Sequence, residues 1–505
     1  MPRRLTGICL DARRSEPLYQ QVFDQIVERV RSGTFPADYR LPPSRALAEE
    51  LGAHRNTVVR AYADLEAAGF VVSSVGRGTF VAAAKASTAK TEVSERASLP
   101  WGSLIASQAT AEPLGRFDRL ARTALRDDLI QLAHMHPAAE LLPVDLFQRC
   151  LQYAMKSLGS RALSYGPREG LPRLRALIAQ DLGRQGVPAA ADDIVITNGS
   201  QQSLDLVARA LIRPGDTFAL DSLTYPGMTN VVIGAGARVV PVAGDEEGPS
   251  ILAMERTASH AKGYYAMPRG HNPTGITMSP RRCEALLDWS HQHGVPIIED
   301  DFSSELGLDD EAPPPALRSL DREVIYVGSF SKKLIPALRI GFVVCPPALR
   351  PVLVSLKHTL DLGNSALLQY ALAEFLDRGY LEAHLARILP EYRARRAALE
   401  AGLAAHLPPD VRWQRASGAL HLWLSLPPGY NPEQVSDEAR RHGVVVSPST
   451  LYAIEQRESP GLRLTFCSES PQRLREGARR LGRALHALAP QGQDLHQMQD
   501  WLGVV

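Results

Sequence analysis

From Pro17 to Arg31 apolar side chains return every four residues, at Leu18, Val22, Ile26 and Val30, which keeps one face of a helix hydrophobic. Gly33 and Pro36 end that period. A second helix is predicted from Ser44, a residue suited to an N-cap, through Leu47, Ala48 and Leu51, with Gly52 making a tight turn. A third starts near Arg55 and carries Val58, Tyr62 and Leu65 on one side. The pattern then shortens. Gly69-Phe70-Val71-Val72 and Gly78-Thr79-Phe80-Val81 read as two short strands about a turn at Ser74–Gly78. Helix, turn, helix and hairpin is the layout of a winged helix-turn-helix, whose recognition helix can enter a DNA major groove.

After this segment the periodicity stops. Residues 83–99, AAKASTAKTEVSERASL, are small and polar, as a linker would be. Farther on, strand-like runs recur at Asp193–Thr197, Thr217–Leu220, Arg238–Val242, Gly263–Met267, Val295–Glu299, Glu323–Gly328 and Arg339–Cys345, mostly with helix-length stretches between them. That alternation predicts an α/β domain with a mostly parallel sheet, whose ligand sites form in the loops after the strands. The expected division is a DNA-binding domain at 1–82, a linker at 83–127, a large α/β domain at 128–490 and a tail at 491–505.

Composition narrows this little. Hydrophobic residues make up 45% and charged residues 22% of the 505, ordinary values that exclude a wholly disordered chain or a collagen-like fibre. Basic and acidic side chains nearly cancel, 56 against 55. Binding to nucleic acid must therefore come from placement, since residues 1–80 hold 11 Arg against 9 Asp and Glu. Arg45, Arg55, Asn56, Thr57, Arg60 and Arg77 are the candidate DNA-facing residues, with Arg40 a further one. An interaction domain with solvated arginines would share this pattern. Cys9, Cys150, Cys283, Cys345 and Cys467 are scattered and form no CxxC pair, so no structural metal is expected. No apolar run is long enough to span a bilayer, and Asp11, Arg13 and Arg14 interrupt the start of the chain before a signal-peptide core. The expectation is a cytoplasmic protein with reduced thiols and no membrane partner.

Three loops carry candidate chemistry. Asn198-Gly199-Ser200-Gln201-Gln202 follows a strand and opens a helix, where free N–H groups suit a phosphate, although many such turns bind nothing. The run VPIIE ends in Asp300-Asp301, a pair that could hold a metal or a cationic ring nitrogen. Ser329-Phe330-Ser331-Lys332-Lys333, followed by Arg339, places two lysines after a buried strand in a chain with only seven. A lysine there can be surface-solvated or can condense with an aldehyde cofactor. Pyridoxal phosphate needs an amine, an acid on its ring nitrogen, donors for its phosphate and commonly a stacked aromatic, and the sequence supplies a candidate for each.

Two resemblances sharpen these readings. The string LPPSRALAEELGAHRNTVVRAYADLEAAGFVVSSVGRGTFV, from Leu41 to Val81, resembles the DNA-binding domain of GntR-type bacterial repressors. It departs at His54, where that family commonly has a serine, so a weaker cap on the recognition helix is expected. Residues from about 130 to 490 resemble a fold-type I aminotransferase through SYGPREGLPRLR, TNGSQQSLDL, TYPG, HNPTG, IIEDDF, GSFSKKLIPALRIGF and GLRLTF. This resemblance implies pyridoxal 5'-phosphate as cofactor. Lys332 would be the Schiff-base lysine, with Lys333 its alternative, and Asp300 the partner of the ring nitrogen. Asn272 would donate to the phenolic oxygen, Tyr225 would stack on the ring, and Ser200, Gln201, Ser329 and Arg339 would hold the phosphate. Arg463 would grip the acid group of an amino-acid-like ligand.

The two parts in this order, together with GYLEAHLARILPEYRARRAAL at Gly379–Leu399, resemble the MocR-type regulators. Membership would imply a PLP-dependent transcription regulator, commonly a homodimer, that binds an operator in double-stranded DNA. It would sense an amino acid, a related amine or PLP itself through an aldimine at Lys332. The alternative is an active aminotransferase with an accessory DNA-binding domain. One departure is Phe302, where the group usually has a tyrosine that donates to the phenolic oxygen; its loss is worth ~1 kcal/mol of hydrogen bonding.

Overall fold

A computed structural model describes residues 7–11, 16–74, 77–82, 128–303, 305–309, 314–415, 418–455 and 460–489. The linker expected at 83–127 and the tail at 491–505 lie outside the described residues. The chain divides into two compact units, one on either side of Pro100–Trp101.

In the first unit, α1 (Leu18–Arg31), α2 (Ser44–Leu51) and α3 (Arg55–Ala67) precede an antiparallel hairpin of β1 (Val71–Ser74) and β2 (Gly78–Val81). Val22, Ile26, Leu47, Val58, Ala61, Leu65, Val71 and Val81 form its core. Three local expectations need correction. Ser44 is the first helical residue of α2, and Pro43 occupies the cap position. The first strand starts at Val71, because Gly69 closes α3 with φ +75°; its N–H reaches Glu66 O while Phe70 N–H reaches Leu65 O. His54 does cap α3, since its Nδ1 accepts from the Asn56 backbone N–H at 3.2 Å, as a serine oxygen would.

The second unit is built on a seven-stranded sheet. Its strands are β3 (Ile194–Thr197), β4 (Thr217–Asp221), β5 (Arg238–Val242), β6 (Tyr264–Ala266), β7 (Ile297–Asp301), β8 (Ile325–Ser329) and β9 (Gly341–Val344). They lie in the order β3-β9-β8-β7-β6-β4-β5, and β9 alone runs antiparallel to its two neighbours. Each expected run supplies one strand. Alternate residues serve opposite faces: Ile194, Ile196, Tyr326, Phe342 and Val344 pack into one cluster, and Val195, Phe218, Leu220, Val327 and Val343 into the other. A smaller antiparallel sheet joins β10 (Arg412–Gln414), β11 (His421–Ser425), β12 (Ser447–Pro448) and β13 (Gly461–Thr465) in the order β10-β11-β13-β12. Among the described residues no helix is long and apolar enough to cross a membrane.

Candidate functional site

The loops after β7 and β8, which are neighbouring strands in the middle of the sheet, lie close to the loop after the edge strand β3, because only β9 separates β3 from β8. Lys332 sits in the turn after β8, and its Nζ donates to Met135 O at 2.6 Å. Burial, reinforced by the Arg463 and Arg339 cations, lowers its pKa from 10.5 to about 8. Lys333 goes elsewhere. It is ion-paired with Glu305, stands 3.9 Å from Asp181 and lies 5.0 Å from the centre of the Phe330 ring. Lys333 is thus committed to a buried pair, which leaves Lys332 as the available amine.

An unprotonated amine is needed to attack an aldehyde. The rate at which cofactor-free protein takes up pyridoxal phosphate covalently should therefore rise about tenfold per pH unit below pH 8 and level off above it. Stopped-flow absorbance across that range measures this. A plateau reached only near pH 10 would show that the lysine is not buried in solution.

Asp300 and Asp301 end β7 on opposite faces, as consecutive strand residues must. Asp301 is taken by Arg269 and by the Tyr326 hydroxyl, which donates to it at 2.7 Å. Asp300 is 3% exposed; its Oδ2 accepts from the Tyr265 hydroxyl at 2.7 Å, while its Oδ1 is buried without a partner. Burial raises its pKa to about 6, against the Tyr265 hydrogen bond and with help from Glu299. The two carboxylates therefore do not converge on a metal. An orphaned buried carboxylate oxygen instead suits a protonated ring nitrogen, whose charge would pull that pKa back down.

Tyr225 caps α5 (Pro226–Gly234), and its hydroxyl donates to Gln201 Oε1 at 2.9 Å. Burial pushes that hydroxyl up to about 12, with Asp300 adding to the effect. Gln201 Nε2 in turn donates to Gly227 O at 2.9 Å. Ser200 and Gln201 open α4 (Ser200–Leu211), whose cap Gly199 has φ +77°. A Cβ at Gly199 would stand 2.7 Å from Arg339 Nη2, and one at Gly341 would stand 2.5 Å from Gly199 C. Backbone, Arg339 and the helix start are thus packed as closely as glycine permits. With Ser329, buried at the end of β8, they form a concave set of donors fit for a phosphate. Gly199→Ala should weaken pyridoxal phosphate binding at least tenfold, read by equilibrium titration. Unchanged affinity would remove this turn from the site.

Arg463, on β13, is 9% exposed. Its Nη1 donates to Asn272 Oδ1 at 2.9 Å and its Nη2 to Ala133 O at 2.6 Å, while Nε is buried without a partner. The Tyr452 ring lies 5.1 Å from its guanidinium. Because Asn272 accepts through Oδ1, its Nδ2 is left to donate to a bound oxygen.

Some of the supporting residues give little sequence signal. Tyr265, which holds Asp300, is one of two adjacent strand tyrosines. Lys357 is fully buried and pairs with Asp361 at 2.7 Å; Asp361 also accepts from Asn198 Nδ2 at 2.6 Å and Gln202 Nε2 at 2.8 Å. This network fixes the loop that opens α4. Only the spacing Lys357–Asp361, one helical turn, hints at it. Phe302 is half-buried against the apolar clusters on both sides of the sheet, where its ring serves packing.

In the first unit Arg45, Arg55, Asn56, Arg60 and Arg77 are exposed and Thr57 is half-exposed. The Arg60 guanidinium stacks 3.7 Å from the Tyr19 ring centre, and that of Arg40 lies 6.0 Å from Phe80. Those two arginines carry part of the surface packing; Arg45, Arg55 and Arg77 make no such ring contact.

Fold and site define a pyridoxal phosphate protein of the aminotransferase class joined to a helix-turn-helix unit of the gntR class. The family description "Aminotransferase class I and II" matches residues 139–481, and "Bacterial regulatory proteins, gntR family" matches residues 18–81. The probable rhizopine catabolism regulatory protein MocR of Rhizobium meliloti is 31% identical over 96% of this chain and 97% of its own. The HTH-type transcriptional regulator TauR of Rhodobacter capsulatus is 31% identical, over 93% of this chain and 96% of its own. Among solved structures, the α-aminoadipate aminotransferase LysN of Thermus thermophilus, complexed with N-(5'-phosphopyridoxyl)-L-leucine, aligns with a TM-score of 0.71 at 31% identity. It covers 77% of this chain and 99% of LysN. The chain belongs to the MocR-type transcription regulators.

Proposed function

We propose that this regulator senses an amino acid, a related amine or pyridoxal phosphate itself at Lys332, and transmits occupancy to an operator-binding face on α3. The observation that carries the reading is the coexistence of a complete cofactor and acid-group site with an exposed polar face on a recognition helix. Bound in the site, pyridoxal phosphate supplies an aldehyde that condenses with a primary amine. Lys332 would anchor it, burial lowering its pKa to about 8 so that about half of the amine is unprotonated at that pH. Asp300, through its unpartnered Oδ1, would face the ring nitrogen, Tyr225 would cover the ring, and Ser200, Gln201, Ser329 and Arg339 would hold the phosphate.

An effector amine would take the place of the Lys332 amine, freeing that side chain. Arg463 takes the effector's carboxylate or sulfonate by giving up Asn272 or Ala133 O, so the hydrogen bonds of the site differ between its two states. DNA affinity changes to the extent that the effector prefers one state. The reading includes a cytoplasmic homodimer. Leu163 and Tyr165 are 67% and 89% exposed, and Leu362 is 51% exposed, around an open cavity lined by residues 162–165 and 363–367.

Footprinting on the protein's own upstream DNA, with and without pyridoxal phosphate and a panel of amino acids, tests the proposal. A ligand-dependent footprint is expected. A working aminotransferase is the rival, favoured by the intact set of Lys332, Asp300 and Arg463. Catalytic amino transfer to a keto acid without specific DNA binding would establish the rival.

A further inference from the structure

A cavity of about 380 Å³ opens beside the cofactor site, and none of the residues assigned above to cofactor or effector lines it. Its floor is the end of β4 (Asp221 to Leu223), one wall is the hairpin of Gly244–Asp245 and Gly248–Pro249, and the small sheet closes the other side with Gln414, Trp423 and Ser425. Its charge is one-sided. Asp221, Asp245 and Glu246 line it and, among the described residues, no Lys or Arg does; Arg282 neutralises Asp245 at 2.9 Å, and the Tyr264 hydroxyl donates to Asp221 Oδ1 at 2.5 Å. Met267, Met278, Ile276 and the buried Trp423 supply apolar wall between the neutral polar side chains of Ser222, Thr274, Gln414 and Ser425.

His271 adds a second, independent feature. It lines the cavity, is more than nine-tenths buried, and its Nε2 has no hydrogen-bond partner although Asp221 Oδ2 lies 3.2 Å away. Its Nδ1 is occupied by the Thr274 hydroxyl at 2.8 Å. A volume in the range of small-molecule sites, two carboxylates (Asp221 and Glu246) that no Lys or Arg of the lining faces, and an indole together suit one class of ligand. We propose that this cavity is a second ligand site, for a small organic cation with a hydrocarbon arm. Asp221 and Glu246 would face its charge, and Trp423, Met267 and Met278 would face its chain.

The position gives an occupant a route to the first site. His271 precedes Asn272, which holds Arg463. Trp423 is the cross-strand partner of Arg463 in the β11–β13 pair, so the two side chains stand on the same face of the small sheet. A ligand against Trp423 and His271 therefore presses on both elements that position the acid-gripping arginine. The proposal does not depend on effector sensing at Lys332.

Butyltrimethylammonium is a suitable probe, because a quaternary nitrogen cannot condense with the cofactor's aldehyde. Calorimetric titration of the full chain loaded with pyridoxal phosphate should show saturable one-to-one binding, with Kd on the order of 1 mM or tighter. Uncharged 1-butanol should show none. Asp221→Asn is expected to weaken binding about tenfold. Glu246→Gln, which neutralises an exposed side chain and leaves the core intact, should weaken it about threefold. Absence of saturation, or wild-type affinity in both charge variants, would overturn the proposal. None of these results bears on whether an amine at Lys332 controls DNA binding.

Discussion

Lys332→Ala is expected to weaken pyridoxal phosphate binding on the order of 100-fold, or ~2.7 kcal/mol. The variant should also lose every ligand-dependent change in operator affinity. Reduction with borohydride followed by peptide mapping should place the phosphopyridoxyl group on Lys332 in the wild type and on no lysine in the variant. Lys333→Ala should keep that label. It should instead lose stability, since it leaves Glu305 without its cation beside Asp181, whose remaining cation is Arg184 at 3.1 Å. Label on Lys333, or an undiminished ligand response in Lys332→Ala, would remove Lys332 from the mechanism. The physical reason for the asymmetry is local. Two adjacent side chains leave a turn in different directions, and only one of them meets carboxylates.

Arg55→Ala, at the first turn of α3, should weaken operator binding by ~1–3 kcal/mol, about 5- to 150-fold, with cofactor affinity unchanged. Asn56→Ala should relax preference at one base pair, and Arg45→Ala or Arg77→Ala should lower affinity on all sequences alike and flatten its salt dependence. Arg60→Ala should differ, because its guanidinium stacks on Tyr19; part of its effect should be lost stability of the first unit. Titration of labelled operator at several salt concentrations separates these effects. Wild-type affinity in Arg55→Ala would move the DNA-binding face off α3.

Much of the fold was legible because buried strands write themselves as continuous apolar runs. Each of the seven runs became a strand of the central sheet. Their ends were less legible. The expected run Val295–Glu299 stops where hydrophobicity stops, yet β7 continues through Asp300 and Asp301, because Tyr265, Arg269 and Tyr326 supply polar partners for those carboxylates. His54 misled for a related reason. A capping rule built on residue frequencies does not register that a neutral imidazole nitrogen can accept the same backbone N–H. Tyr265 and the Lys357–Asp361 pair were out of reach, since nothing in their neighbourhood marks a strand tyrosine or a helical ion pair as part of a distant loop.

The sequence by itself determined the two units and their order, the strands, and the residue types that a phosphorylated pyridine aldehyde requires. These are local or compositional properties, carried by periodicity and by short strings such as GSFSKK and HNPTG. Only the tertiary structure decided which of two adjacent lysines is available, which of two adjacent aspartates keeps an unpartnered oxygen, and that Asn272 and Arg463, 191 positions apart, share a hydrogen bond. Those outcomes depend on burial and on partners from other strands, and burial is a property of the assembled sheet rather than of any stretch of chain.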